Sequence, residues 1–111
     1  MAAAGQTPEV QASEVPDGGW LLDVREPYEW TAGHAPTAWH IPMAQLAQRA
    51  GEIPEDSTVY VICRSGVRSA HVAAALAKAG RRAVNVADGM RGWAAAGRPM
   101  ISETGSTPTV A

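Results

Sequence analysis

Apolar residues come in short unbroken runs that alternate with stretches spaced for one face of a helix. Trp20-Leu21-Leu22-Asp23-Val24, preceded by the turn signal Pro16-Asp17-Gly18-Gly19, predicts a buried strand. Glu26 to Ala32 predicts a short helix, with Pro27 in its first turn and Gly33 closing it. Ala38 to Ile41 predicts another short strand stopped by Pro42, and Ala44 to Ala50 a helix ended by Gly51. Thr58-Val59-Tyr60-Val61-Ile62 is β-branched and almost wholly apolar, the pattern of a strand buried on both faces of a parallel sheet. Cys63 to Arg68 then reads as a polar, glycine-containing turn. Ser69 to Ala79 follows as an alanine-rich helix closed by Gly80, and Ala83 to Val86 as the next strand. Met90 to Ala96 predicts a last short helix before Gly97 and Pro99.

Strand, turn, helix and strand in that order make a βαβ unit with a right-handed crossover. The expected class is therefore α/β: three layers, a central mostly parallel sheet with helices on both faces. No repeat is visible, and 111 residues suffice for one domain with a real core. That domain is expected over residues 9–100, between a flexible N-terminus (1–8) and a flexible, STPT-rich tail (101–111).

Composition narrows the function. Nine Lys and Arg against eleven Asp and Glu give a net charge of −2, which supplies no basic field for nucleic acid or an anionic membrane. No apolar run approaches the roughly 20 residues that span a bilayer. Met1 to Val10 has neither the cationic nor the apolar segment of a signal peptide, so a cytoplasmic location is expected. The single cysteine, Cys63, excludes an internal disulfide and a cysteine-rich metal site. His34, His40 and His71 lack metal-ligand spacing and read as packing or hydrogen-bonding residues. With phenylalanine absent, Trp20, Trp30, Trp39 and Trp93 read mainly as core filling, though an exposed one could serve docking.

The surroundings of Cys63 set it apart from a small buried hydrophobe. It falls at the carboxyl end of the central strand, where open α/β sheets bind ligands. The turn feeds a helix whose first N–H groups are unpaired and whose dipole is positive there. Gly66 lets those N–H groups converge, and Arg64 and Arg68 add fixed charge. Each feature lowers a thiol pKa and favours an anion on or beside the sulfur.

The run Cys63-Arg64-Ser65-Gly66-Val67-Arg68-Ser69 resembles the active-site loop of the rhodanese family of sulfurtransferases. Leu22 to Trp30, Gly33-His34 and His40-Ile41-Pro42 are similar to that family's N-terminal signature, and Asp88-Gly89-Met90-Arg91-Gly92-Trp93 to its C-terminal segment. The likeness covers about residues 9–99. Ala35 and Thr37 stand where the family usually has isoleucine and glycine, and Asp88 where it commonly has glycine.

What the resemblance implies is a sulfur shuttle. Cys63 would take the outer sulfur of thiosulfate or a related donor as a persulfide and pass it to cyanide, a small thiol or a protein thiol. It would need no metal or organic cofactor. Arg64, Ser65, Gly66, Val67, Arg68 and Ser69 would bind the substrate, with Ser65 and Ser69 serving either the persulfide or the helix N-terminus. Arg64 and Arg68 are expected to form a doubly cationic rim that favours dianionic thiosulfate over 3-mercaptopyruvate. Asp23 and Arg25 read as a structural pair, and His71 as a residue outside the mouth. Two other readings stay open: a relay or interaction module dedicated to one protein partner, and a cysteine-loop phosphatase or arsenate reductase. The second would need Cys-x5-Arg, whereas Cys63 to Arg68 is Cys-x4-Arg.

Overall fold

The computed structural model describes residues 7–111. Five strands form one sheet: β1 (Glu9–Val10), β2 (Trp20–Asp23), β3 (Trp39–His40), β4 (Val59–Ile62) and β5 (Ala83–Val86). All pairs are parallel and the order is β1-β5-β4-β2-β3. Four helices complete the described fold: α1 (Pro27–Ala32), α2 (Leu46–Arg49), α3 (Val67–Lys78) and α4 (Gly89–Ala95). Among the described residues, no helix is long and apolar enough to cross a membrane.

Two cores explain why the central strands are largely apolar on both faces. Leu22, Val59, Val61 and Cys63 point to one face, where Val72 and Ala73 of α3 cover them. Leu21 and Ile62 point to the other, against Met90 and Trp93 of α4. The period-two alternation of each strand thus feeds both cores. It also puts Cys63 on the α3 face.

Several boundaries differ from the sequence expectation. α3 starts at Val67, two residues before Ser69, because Gly66 already acts as its N-cap with φ +96°. Val67, Arg68 and Ser69 are therefore helical residues of the first turn. Residues 43–52 form no single helix but a short α-helical segment flanked by 3-10 turns, Met43–Gln45 and Ala50–Glu52. β1 is an additional edge strand, pairing with β5, that the sequence pattern does not announce.

The C-terminal stretch expected to fray is held against the C-terminal end of α1. Ile101 and His34 exchange backbone hydrogen bonds of 2.9 Å, and the N–H groups of Glu103 and Thr109 donate to Thr31 and Ala32 carbonyls at 3.0 Å. Met100 and Val110 pack on the second core. Asp88 has a capping role: its Oδ1 accepts the Ala12 N–H at 2.7 Å.

Candidate active site

Cys63 follows β4 directly, and its side chain lies under the first turn of α3. Three donors converge on Sγ: the Gly66 N–H at 3.1 Å, the Ser69 N–H at 3.4 Å and the Ser69 hydroxyl at 3.2 Å. Burial pushes the thiol pKa up, since Cys63 is 1% exposed. The Ser69 hydroxyl and the backbone donors of Ser69, Ser65 and Gly66 together outweigh it, leaving the thiol below its ordinary value.

The loop holds this shape by turning its carbonyls the other way. The Cys63 and Arg64 carbonyls accept the N–H groups of Met90 and Arg91, at 2.8 and 3.0 Å. The Gly66 carbonyl accepts from Asn85 Nδ2 at 3.2 Å. Two glycines are required by this close packing. A Cβ on Gly66 would lie 2.0 Å from the Ala87 carbonyl oxygen, and one on Gly89 (φ +58°) 2.5 Å from that of Arg64.

Of the expected loop residues, Cys63, Gly66 and Ser69 are gathered around the sulfur. Arg64, Ser65 and Val67 are exposed on the rim. Arg68 departs from the expected free cation. Its Nη1 and Nη2 bind Oε1 and Oε2 of Glu29 at 2.7 and 2.8 Å, a bidentate pair. The hydrogen bonds from Arg68 hold the Glu29 carboxyl below its ordinary pKa, against the opposing effect of burial. The doubly cationic rim is therefore corrected to one compensated arginine, Arg68, and one, Arg64, without a carboxylate partner among the described residues.

Asp23 and Arg25 form a structural pair beneath the site. Both are 0% exposed, and Arg25 binds the Asp23 carboxylate through Nε and Nη2. Arg25 also donates to the Glu29 and Gly33 carbonyls, fixing α1 against the sheet. Trp30 is stacked between His34 and His40, at centroid distances of 3.4 and 4.6 Å. His71 lines an apolar groove of about 310 Å³ with Met43, Leu46 and Leu76, and none of the residues 63–69 lines it. Trp93 is buried, whereas Trp39 is 47% exposed and donates through Nε1 to Glu52. Among the described residues, no three His, Cys, Asp or Glu side chains are gathered as a metal site would require.

Sequence reading missed the parts played by Glu29 and Asn85. Glu29 belongs to the quoted N-terminal signature, yet nothing in the linear order announces a partner 39 residues away.

A thiol held by converging N–H groups at the carboxyl edge of a parallel sheet defines a cysteine-loop α/β domain. The model of the rhodanese-like domain matches residues 7–96, and the chain belongs to that family. It is 42% identical over 74 residues to the Bacillus subtilis protein YrkF, whose name is that of a candidate sulfur carrier; the match covers 66% of this chain and 40% of that one. The chain thus spans well under half of that relative. A protein of Allochromatium vinosum named sulfurtransferase is 38% identical over 86 residues, covering 77% of this chain and 80% of its own length. The crystal structure of a rhodanese-like domain protein from Staphylococcus aureus superposes with a TM-score of 0.74 at 30% identity, covering 78% of this chain and 91% of that one.

Proposed function

We propose that the protein is a sulfurtransferase that carries sulfane sulfur on Cys63. The observation that carries this reading is the set of three hydrogen-bond donors on Sγ, which suits a thiolate and then a persulfide anion. The names of the relatives in Bacillus subtilis and Allochromatium vinosum support the same chemistry.

With thiosulfate as donor, the Cys63 thiolate attacks the outer sulfur. A new S–S bond forms to Cys63, the old one breaks, and sulfite leaves with its electron pair. An acceptor nucleophile, either cyanide or a small or protein thiolate, then attacks the terminal sulfur and releases the Cys63 thiolate. The sulfur ends as thiocyanate or as the acceptor's persulfide. With one cysteine in the chain, the acceptor lies outside it. The donors close on a single atom, which suits sulfur better than a phosphoryl group with its several oxygens.

The relay reading is favoured by one feature, the exposure of Tyr28 (69%) and Val67 (65%) beside the loop, which offers apolar contact to a protein acceptor. Intact-protein mass after mixing with thiosulfate tests the reading. A gain of one sulfur atom, reversed by cyanide and absent in Cys63→Ser, is expected. Loading that persists in Cys63→Ser would overturn it. Loading that resists cyanide and small thiols but yields to a protein thiol would favour the relay.

A further inference from the structure

We propose that Glu29 is a specificity-determining residue that sets which anions reach Cys63, by holding the Arg68 guanidinium as an internal counter-ion. The inference rests on the reading of Cys63 as the sulfur-carrying nucleophile.

The pairing is built into the fold. Glu29 stands in the first turn of α1, which Pro27 opens, and its Oε1 also accepts the Glu26 N–H at 3.0 Å. Its backbone carbonyl accepts from the buried Arg25. The carboxylate is thus fixed from its own helix, and its side chain is 3% exposed. Arg68 comes to it from the first turn of α3, immediately before the residue that donates twice to Sγ. Both terminal nitrogens of Arg68 are spent on Glu29, with the guanidinium side chain 35% exposed.

The charge balance of the arginines at 25, 64 and 68 follows. Arg25 is neutralised by Asp23 and Arg68 by Glu29. Of the arginines at 25, 64 and 68, Arg64 alone has no carboxylate partner among the described residues. Among these three, the one uncompensated cation suits a singly charged donor, such as a β-mercapto-α-keto acid, whose enolate can leave with the electron pair, or an organic persulfide. A dianion such as thiosulfate gains little over it. Glu29 therefore shifts the preference away from the dianion that two free arginines would select.

Alkylation of Cys63 by iodoacetate and by iodoacetamide reads this charge without any sulfur transfer. The same thiolate attacks the CH₂ carbon of either reagent and displaces iodide, so the ratio of the rates cancels changes in thiolate fraction. Glu29→Gln keeps the size and an accepting oxygen while deleting the charge. Its iodoacetate-to-iodoacetamide ratio is expected to rise about fivefold or more over the parent, from one unscreened charge near the sulfur. The Glu29→Gln/Arg68→Gln double variant should return to the parent ratio. In the parent itself, raising ionic strength should lower the ratio by no more than about twofold, since Arg68 is already compensated and the exposed cations are solvated. The proposal is overturned by an unchanged ratio in Glu29→Gln or by a rise that survives in the double variant. A steep salt dependence in the parent would overturn it without any variant, as would a Cys63 inert to both reagents. A ratio that moves as expected in a protein that never gains sulfur from any donor would instead overturn the sulfur-transfer reading alone.

Discussion

Ser69 addresses the Cys63 sulfur twice, with its hydroxyl from 3.2 Å and its backbone N–H from 3.4 Å. The backbone donor survives replacement by alanine, so the side chain's part can be isolated. Ser69→Ala should raise the thiol pKa and slow iodoacetamide alkylation at neutral pH by about tenfold, the worth of one hydrogen bond to a charged group. The pH profile of alkylation, followed by mass, should shift to higher pH. An unshifted profile would mean that the backbone donors hold the thiolate unaided.

Gly66 and Gly80 both have positive φ, +96° and +90°, but only Gly66 is hemmed in. Gly80→Ala meets open space and should cost about 1 kcal/mol through backbone strain alone. Gly66→Ala adds a collision with the Ala87 carbonyl and should cost about 2–4 kcal/mol, while also drawing a donor off Sγ. Thermal melts of the two variants, with alkylation rates beside them, separate strain from site damage. Equal melting temperatures would contradict the packing described for the loop.

The sheet and the cysteine loop were legible because both depend on local pattern. Strands covered on both faces leave unbroken apolar runs, and the loop's glycine, serines and cysteine stand within seven consecutive residues. The Glu29–Arg68 pair was not legible, because it joins first turns of two helices brought together only by the β4-beside-β2 pairing. Arg68 consequently looked like a free rim cation. The start of α3 was misplaced for a related reason: a left-handed glycine can end one helix or begin another, and only the chain's path decides which. The C-terminal residues have the composition of a loose tail, and their backbone partners on α1 leave no trace in side-chain pattern.

Breaking the pair from the arginine side should be costly. Arg68→Thr leaves the Glu29 carboxylate buried without its main partner, for a loss of about 1–3 kcal/mol at neutral pH. The folded-state pKa of Glu29 lies below the ordinary 4.5, so the pair's stabilisation is complete above 4.5 and fades as pH falls through the lower folded value. In Arg68→Thr, that acid-dependent part is absent, and the stability gap to the parent should narrow on acidification. Urea unfolding at neutral pH and again below 4.5 measures both gaps. A gap that stays constant across that range would show that Glu29 is not the group whose charge the arginine compensates.

Removing residues 101–111 should destabilise the domain, although their composition suggests a dispensable tail. Ile101 trades two backbone hydrogen bonds with His34, and Glu103 and Thr109 each donate one to α1. Glu103 Oε2 also meets His34 Nε2 at 2.7 Å, and the other ring nitrogen faces the Ala35 carbonyl oxygen at 2.9 Å. Gly33 lies so close that a Cβ there would be 2.5 Å from the Thr109 carbonyl oxygen, so the tail is seated against the C-terminal end of α1 and the residues just after it. Each backbone bond contributes about 0.5–1.5 kcal/mol net, and ordering the segment offsets much of their sum. A net loss of about 1–2 kcal/mol is expected, lowering the melting temperature by roughly 5 °C or more. His34 would become exposed and its stack on Trp30 free to loosen, so tryptophan fluorescence should change with the truncation. Because α1 carries Glu29, the iodoacetate-to-iodoacetamide ratio at Cys63 should move as well if the helix shifts. An unchanged melting temperature and spectrum would mean that the tail rests on the domain without contributing to its cooperative unit.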